Sequence, residues 1–250
     1  MILVVFGTTG ELIKLAPVLL RLEARGHRYV LATTGQQVQQ IPSFLEQFGL
    51  RQPDVWLARG ARGRDLRVNT DIPGWFARVT RSWVRERRRF LGTPLVLVHG
   101  DTMTTVLGSV MGRSLRATVA HIEGGLRSYD FRHPFPEELN RKLATSLSQV
   151  HYAPGAWAAS NLRGGEIVDT GSNTIRDSLE LVSDDEPSVA LPEQSFGIVS
   201  LHRFELLNSR RLLTQTIEAL ADAARRTPLL FIDHPVTAAA LEVGDDDVRR

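Results

Sequence analysis

Short, largely apolar runs recur through this chain with helix-period segments between them, and that alternation limits its fold more than any other feature. Ile2 to Phe6, Tyr29 to Ala32, Pro94 to Val98, Thr118 to Ile122 and Val150 to Ala153 are such runs. Their hydrophobicity is continuous rather than alternating, the pattern of strands buried on both faces. Val55 to Leu57 and Glu166 to Val168 read as two further strands. Between the runs, Leu12, Ile13, Ala16, Leu19, Leu20 and Leu22 recur at helical spacing, and helices are expected over Gln37 to Phe48, Thr104 to Met111, Glu137 to Leu147 and Trp157 to Leu162. Strands alternating with helices predict an α/β fold with a parallel sheet covered on both sides.

This pattern yields one Rossmann-like domain over residues 1–182. A linker is expected at 183–193, where Ser183-Asp184-Asp185-Glu186-Pro187-Ser188 is polar, acidic and interrupted by proline, with a second proline at position 192. Residues 194–250 offer strands at Ile198 to Leu201 and Leu229 to Asp233, and helices at Arg210 to Ala224 and Pro235 to Leu241. That is too little for a sheet comparable with the first, so a second domain is expected to be incomplete at residue 250.

Hydrophobic residues make up 42% of the chain, enough for a sizeable core, but no apolar run approaches the roughly 20 residues of a bilayer span. Met1 leads directly into a strand pattern and there is no Cys, so a cytoplasmic protein without a membrane partner is expected. Arg supplies 28 of the 30 basic residues, and the cluster Arg81, Arg85, Arg87, Arg88, Arg89 raises the question of nucleic acid. Phe76, Val79, Trp83 and Phe90 recur at helical spacing through that cluster. The arginines therefore read as the solvated face of an amphipathic helix, and no nucleic-acid partner is assigned.

In an open parallel sheet, ligands bind beyond the carboxyl ends of the strands. The stretch from His99 to Arg141 places Asp101, Glu123 and Glu137 in or beside such loops, with His99 and His121 among them. Carboxylates crowded into one crevice repel one another, which raises the pKa of at least one and can yield both an acid and a base near neutral pH. The plainer reading is that Asp101 and Glu123 cap the following helix and turn. A metal site is a third reading, because His99 with Asp101 and His121 with Glu123 are i, i+2 pairs and His133 lies close in sequence. Such pairs at strand ends usually belong to hydrogen-bonded core, and no metal is assigned. Glu137 and Arg141 share a helix face and are expected to pair.

Thr8, Thr9 and Gly10 before a helix form a candidate anion cradle, with Lys14 one turn in. Neither a GxGxxG nor a Walker motif is present, so no NAD or ATP cofactor is expected. Thr170 to Thr174 reads either as a second phosphate-binding turn or as an ordinary helix cap.

Six motifs in order make the chain resemble the bacterial UDP-N-acetylglucosamine 2-epimerases. They are Gly7-Thr8-x-x-Glu11-x-Ile13-Lys14-Leu15-Ala16-Pro17, His99-Gly100-Asp101-Thr102, His121-Ile122-Glu123-Gly124-Gly125-Leu126-Arg127-Ser128 and Pro136-Glu137-Glu138-Leu139-Asn140-Arg141. Thr170-Gly171 with Asn173-Thr174, and Leu201-His202-Arg203, complete the set. The resemblance implies a fold of two Rossmann-like domains of the GT-B type, with a UDP-sugar between them and a homodimer as the assembly.

It further implies epimerisation at C2 of UDP-N-acetylglucosamine, or of a close UDP-2-acetamido sugar, without a cofactor. A base takes the C2 proton, UDP leaves, and a 2-acetamidoglucal is reprotonated on its other face. On this resemblance Asp101, Glu123 and Glu137 take acid/base and sugar-positioning roles, and His202 is the essential histidine near the diphosphate. Thr8, Lys14, Arg141, Asn173 and Arg203 fall at substrate-binding positions, and Gln36 and Gln39 at a possible allosteric nucleotide-sugar site. Thr9 and Gly10 depart from the family's Arg-Pro, which removes one phosphate-facing charge. A hydrolysing 2-epimerase, a non-catalytic nucleotide-sugar-binding module and a GT-B glycosyltransferase remain alternatives.

Overall fold

The computed structural model describes residues 1–60, 63–66, 70–132, 135–182, 191–201, 204–207 and 209–232. Two compact units divide the chain, residues 1–184 and residues 185–250. The larger is built on β1 (Ile2–Phe6), β2 (Tyr29–Thr33), β3 (Val55–Trp56), β4 (Leu95–His99), β5 (Thr118–Ile122), β6 (Val150–Ala153) and β7 (Glu166–Asp169). They form one seven-stranded sheet in the order β3-β2-β1-β4-β5-β6-β7, and every pairing is parallel. The chain first winds outward from β1 to β3, then returns to start β4 on the other side of β1. That reversal opens a crevice at the carboxyl ends of β1 and β4, where open α/β sheets hold ligands.

Both faces of the sheet are buried because both side-chain sets of each central strand are apolar. Leu3, Val5, Val96, Val98 and Val119 pack on one face beneath Trp75, Val79, Trp83 and Met111. Val4, Phe6, Leu97, Ala120 and Ile122 pack on the other against Leu12, Leu15, Leu19 and Leu45. The covering helices are α1 (Thr9–Ala24), α2 (Ile41–Gln47), α3 (Asp71–Glu86) and α4 (Met103–Ser114). The series continues with α5 (Glu137–Leu147), α6 (Ala156–Ser160) and α7 (Ile175–Val182).

Helix α4 lies close to the sheet because Gly108 and Gly112 lack side chains. A Cβ at Gly108 would come within 2.7 Å of Val98 Cγ1, and one at Gly112 within 3.1 Å of Val96 Cβ. Helix α7 is tied to α1 by Ser178 Oγ, which donates to Ile13 O at 2.7 Å.

Two sequence expectations need correction here. Helix α2 begins at Ile41 rather than Gln37, because Asp65 takes the Val38 amide at 2.6 Å and holds the preceding turn open. In α3 the buried positions are Trp75, Val79 and Trp83, while Phe76 is 50% exposed. Trp75 wins the inner position by an additional bond, its indole N–H donating to Thr34 O at 2.8 Å.

The smaller unit contains β8 (Gly197–Val199), α8 (Phe204–Leu207), α9 (Arg210–Ala224) and β9 (Leu229–Phe231), with β8 and β9 paired in parallel. The expected helix at Pro235 to Leu241 falls outside the described residues. Among the described residues no helix is long and apolar enough to cross a membrane.

Candidate active site

Thr8 caps α1 as a capping box, accepting the Glu11 amide at 3.2 Å, with its own amide donating back to Glu11 Oε2 at 2.9 Å. Thr102 caps α4 in the same way through Thr105. Glu11 joins the two loops. Its Oε2 takes the Gly7 amide at 2.9 Å, and its Oε1 takes the Thr102 hydroxyl at 2.8 Å. It is 3% exposed, and burial pushes its pKa up from 4.5 to about 7 against the lowering effect of these donors.

The anion cradle expected at Thr8 to Gly10 is therefore already filled from within the chain. The Gly7 and Thr8 amides serve Glu11, and the Thr9 amide donates to Gln37 Oε1 at 2.7 Å. Lys14, one turn further along α1, leaves this cradle and crosses to the β5 loop.

There Lys14 Nζ lies 2.7 Å from Glu123 Oε2, joining residues 109 positions apart in sequence. Glu123 stands at a φ of 66°, the left-handed region that few non-glycine residues adopt. Such a backbone persists where its surroundings hold it, and outliers of this kind concentrate at functional sites. The neighbouring Gly124 amide is anchored to Tyr152 O at 3.0 Å.

His99 Nε2 approaches the same Glu123 oxygen at 3.3 Å but off the line of a hydrogen bond, so both of its ring nitrogens are buried without a partner. Burial, then the nearby Lys14 and His121, hold its pKa well below the ordinary value, so the ring is neutral. His121 donates from Nε2 to Gly100 O at 2.7 Å, and burial lowers its pKa to about 4. Neither histidine carries charge into the crevice at neutral pH. Among the described residues no three His, Asp or Glu side chains lie grouped to hold a metal ion.

Asp101 follows β4, and its Oδ2 receives Arg141 Nε at 2.9 Å and Nη2 at 2.6 Å. Asn140 donates to Asp101 O at 2.9 Å, so α5 grips both the side chain and the backbone of this loop. The expected Glu137–Arg141 pair is a correction: Arg141 turns to Asp101 and to Glu138, whose Oε2 is 3.7 Å from Arg141 Nη1. Glu137 Oε2 is left buried without a hydrogen-bond partner. The capping reading of Asp101 and Glu123 also fails, since Thr102 caps α4 and Glu123 opens no helix.

The structure thus brings Lys14 to Glu123 and Arg141 to Asp101, with Glu137 in the turn of α5 that precedes Arg141. Asn173 accepts the Ile175 amide at 3.0 Å at the start of α7, as in the helix-cap reading of the Thr170 to Thr174 loop. Gln36 accepts the Thr104 hydroxyl at 3.3 Å, and the Gln39 amide donates to Asp65 at 3.1 Å. His202 and Arg203 lie outside the described residues.

Two residues of the family motifs, Glu11 and Glu138, were given no site role from the sequence. Glu11 was legible as a capping-box partner by its Thr-x-x-Glu spacing, though not as a brace between loops. Glu138, fully buried in the first turn of α5, accepts the Ser128 amide at 2.9 Å, a contact that its place in the motif did not specify.

Comparison with known proteins adds family context. A family model described as UDP-N-acetylglucosamine 2-epimerase matches residues 21–248. The UDP-N-acetylglucosamine 2-epimerases of Yersinia pestis and Campylobacter jejuni are 30% and 29% identical, each over 94% of this chain and over 65% and 64% of their own lengths. A solved structure of UDP-GlcNAc 2-epimerase from Neisseria meningitidis bound to UDP-GlcNAc superimposes with a TM-score of 0.77 at 25% identity, over 96% of this chain and 68% of that one. The chain spans about half to two thirds of the length of the curated relatives it matches.

Proposed function

We infer that this chain, which belongs to the UDP-N-acetylglucosamine 2-epimerase family, supplies the sugar-handling half of an enzyme that inverts C2 of UDP-N-acetylglucosamine. The observation that carries this reading is the pair of cation-held carboxylates at neighbouring strand ends, Glu123 on Lys14 and Asp101 on Arg141. Cations at these distances hold and orient the carboxylates, which fits them to position a sugar.

In the proposed reaction a carboxylate removes the C2 proton, the electron pair forms the C1–C2 double bond, and UDP departs with the electrons of the C1–O bond. UDP then adds back to C1 as a proton is delivered to the opposite face of C2. Glu137 is the strongest candidate for the proton-exchanging group, because its buried Oε2 is held by no hydrogen bond. Asp101 and Glu123, bound to cations, suit the positioning of hydroxyls and charge. The diphosphate end falls to His202 and Arg203 by their place in the family motif.

Solvent deuterium incorporation at C2 by the complete protein tests this proposal. Incorporation lost on Glu137→Gln and weakened on Glu123→Gln and Asp101→Asn supports it, and incorporation untouched by all three overturns it. Release of free UDP with N-acetylmannosamine in the same assay identifies the hydrolysing variant.

A further inference from the structure

A cavity of about 670 Å³, whose lining includes none of Lys14, Asp101 and Glu123, lies between the last turns of α5, strand β6 and the turn that leads into β7. Its size suits a small polar metabolite and exceeds what a lone ion needs. Its lining includes Arg127, Lys142 and Arg163 and no Asp or Glu. Three permanent cations with no lining acid form a concave positive field, which attracts and concentrates anions.

The cations are held in place. The Arg127 side chain is 8% exposed and donates from Nη2 to Thr145 Oγ1 at 3.3 Å. Arg163 Nη1 is fixed by Ser160 O and Leu162 O, both at 2.8 Å. Lys142 Nζ rests 4.4 Å from the centroid of the Phe131 ring.

A second, independent observation points to a ligand. His151 lines the same cavity, is 2% exposed, and its Nδ1 is buried without any partner. A buried polar atom left unmatched costs stability unless something else satisfies it. Burial, then Arg127, lowers the His151 pKa, so the ring is neutral and offers a hydrogen-bonding nitrogen rather than a fourth charge.

We propose that this cavity binds the phosphate group of a small phosphorylated metabolite, with Arg127, Lys142 and Arg163 on the phosphoryl oxygens and Thr145, Ser146 and His151 on its hydroxyl-bearing body. Guanidinium groups match phosphate oxygens in paired geometry, and hydroxyl side chains match a sugar. The site is separate from the strand-end cluster but shares a buried counter-ion with it. Glu138 Oε1 lies 4.0 Å from Arg127 Nε, and its Oε2 lies 3.7 Å from Arg141, the partner of Asp101.

Calorimetric titration of the protein with glucose 6-phosphate, in phosphate-free buffer with UDP held at saturating concentration, tests the proposal. One saturable site is expected, weakened at least tenfold by Lys142→Ala and again by Arg163→Ala. Both side chains are exposed, so an unchanged melting temperature is expected to accompany the loss. Saturable binding that survives the double variant overturns the proposal, as does absence of saturable binding to the unaltered protein. If UDP itself fails to bind, the epimerase reading suffers while the two substitutions still report on this cavity.

Discussion

Glu11 and Glu123 stand beyond the carboxyl ends of β1 and β5, on either side of β4, yet their surroundings differ in kind. Glu11, on the β1–β4 side, is wrapped by amides and hydroxyls from Gly7, Thr8 and Thr102, and its carboxyl titrates at about 7. Glu123, on the β5–α5 side, faces the Lys14 ammonium at 2.7 Å, as Asp101 faces Arg141. The difference separates structure from chemistry. A carboxyl surrounded by short, fixed donors braces loops, whereas one paired with a single lysine is the kind that the proposed reaction would use.

The sharpest way to break this contrast is to remove one charge from each side. Glu123→Gln, which breaks the Lys14 pair proposed to position the sugar, is expected to lower C2 deuterium exchange of the complete protein by about 10²-fold. Glu11→Gln, which keeps the shape and can still accept the Gly7 and Thr8 amides through its one carbonyl oxygen, is expected to stay within a few-fold of the unaltered rate. Equal losses from both substitutions would erase the distinction.

The next effect is on stability and pH. Raising the Glu11 pKa from 4.5 to about 7 means the folded state holds a proton that the unfolded chain has released across that interval. Its contribution is fully present below pH 4.5 and is lost as pH rises through about 7, a difference of about 3 kcal/mol at 1.36 kcal/mol per unit. Urea unfolding at pH 5 and pH 8 should show this decline in the unaltered protein and a flatter profile in Glu11→Gln. Parallel profiles would place the proton elsewhere.

A smaller effect separates two glycines of the first loop. A Cβ at Gly7 would collide with the hydroxyls of Thr34 and Thr104, which are bonded to each other at 2.7 Å. Gly7→Ala is expected to cost about 1 to 3 kcal/mol by overpacking. Gly10 sits in α1 with nothing within 4 Å of its Cβ position. Gly10→Ala is therefore expected to stabilise by about 0.5 to 1 kcal/mol. Denaturant midpoints moving the same way would contradict the packing of this loop.

Smallest is Ser178→Ala, which removes the α7–α1 bond to Ile13 O and should cost about 1 kcal/mol by the same measurement, with no change in exchange.

The central strands were legible almost to the residue because continuous apolar runs have one outlet, a sheet covered on both faces. The inner face of α3 was not, since Trp75 and Phe76 are adjacent aromatics and only the carbonyl of Thr34 decides which turns inward. The pairing of Glu137 with Arg141 was permitted by spacing but lost to Asp101, a partner 40 positions away in sequence. Helix spacing specifies which side chains share a face, and says nothing about a carboxylate brought up by another strand.

By itself the sequence determined the strand and helix alternation, the loops that carry Asp101 and Glu123, and the family motifs, because each rests on neighbours within a turn or a strand. Only the tertiary structure decided that Glu11 fills the expected anion cradle, that Lys14 serves Glu123, and that His151 is stranded beside three cations. Those outcomes depend on burial and on contacts between distant segments. Burial sets the cost of a charge, and a partner from a distant segment decides whether that charge is held.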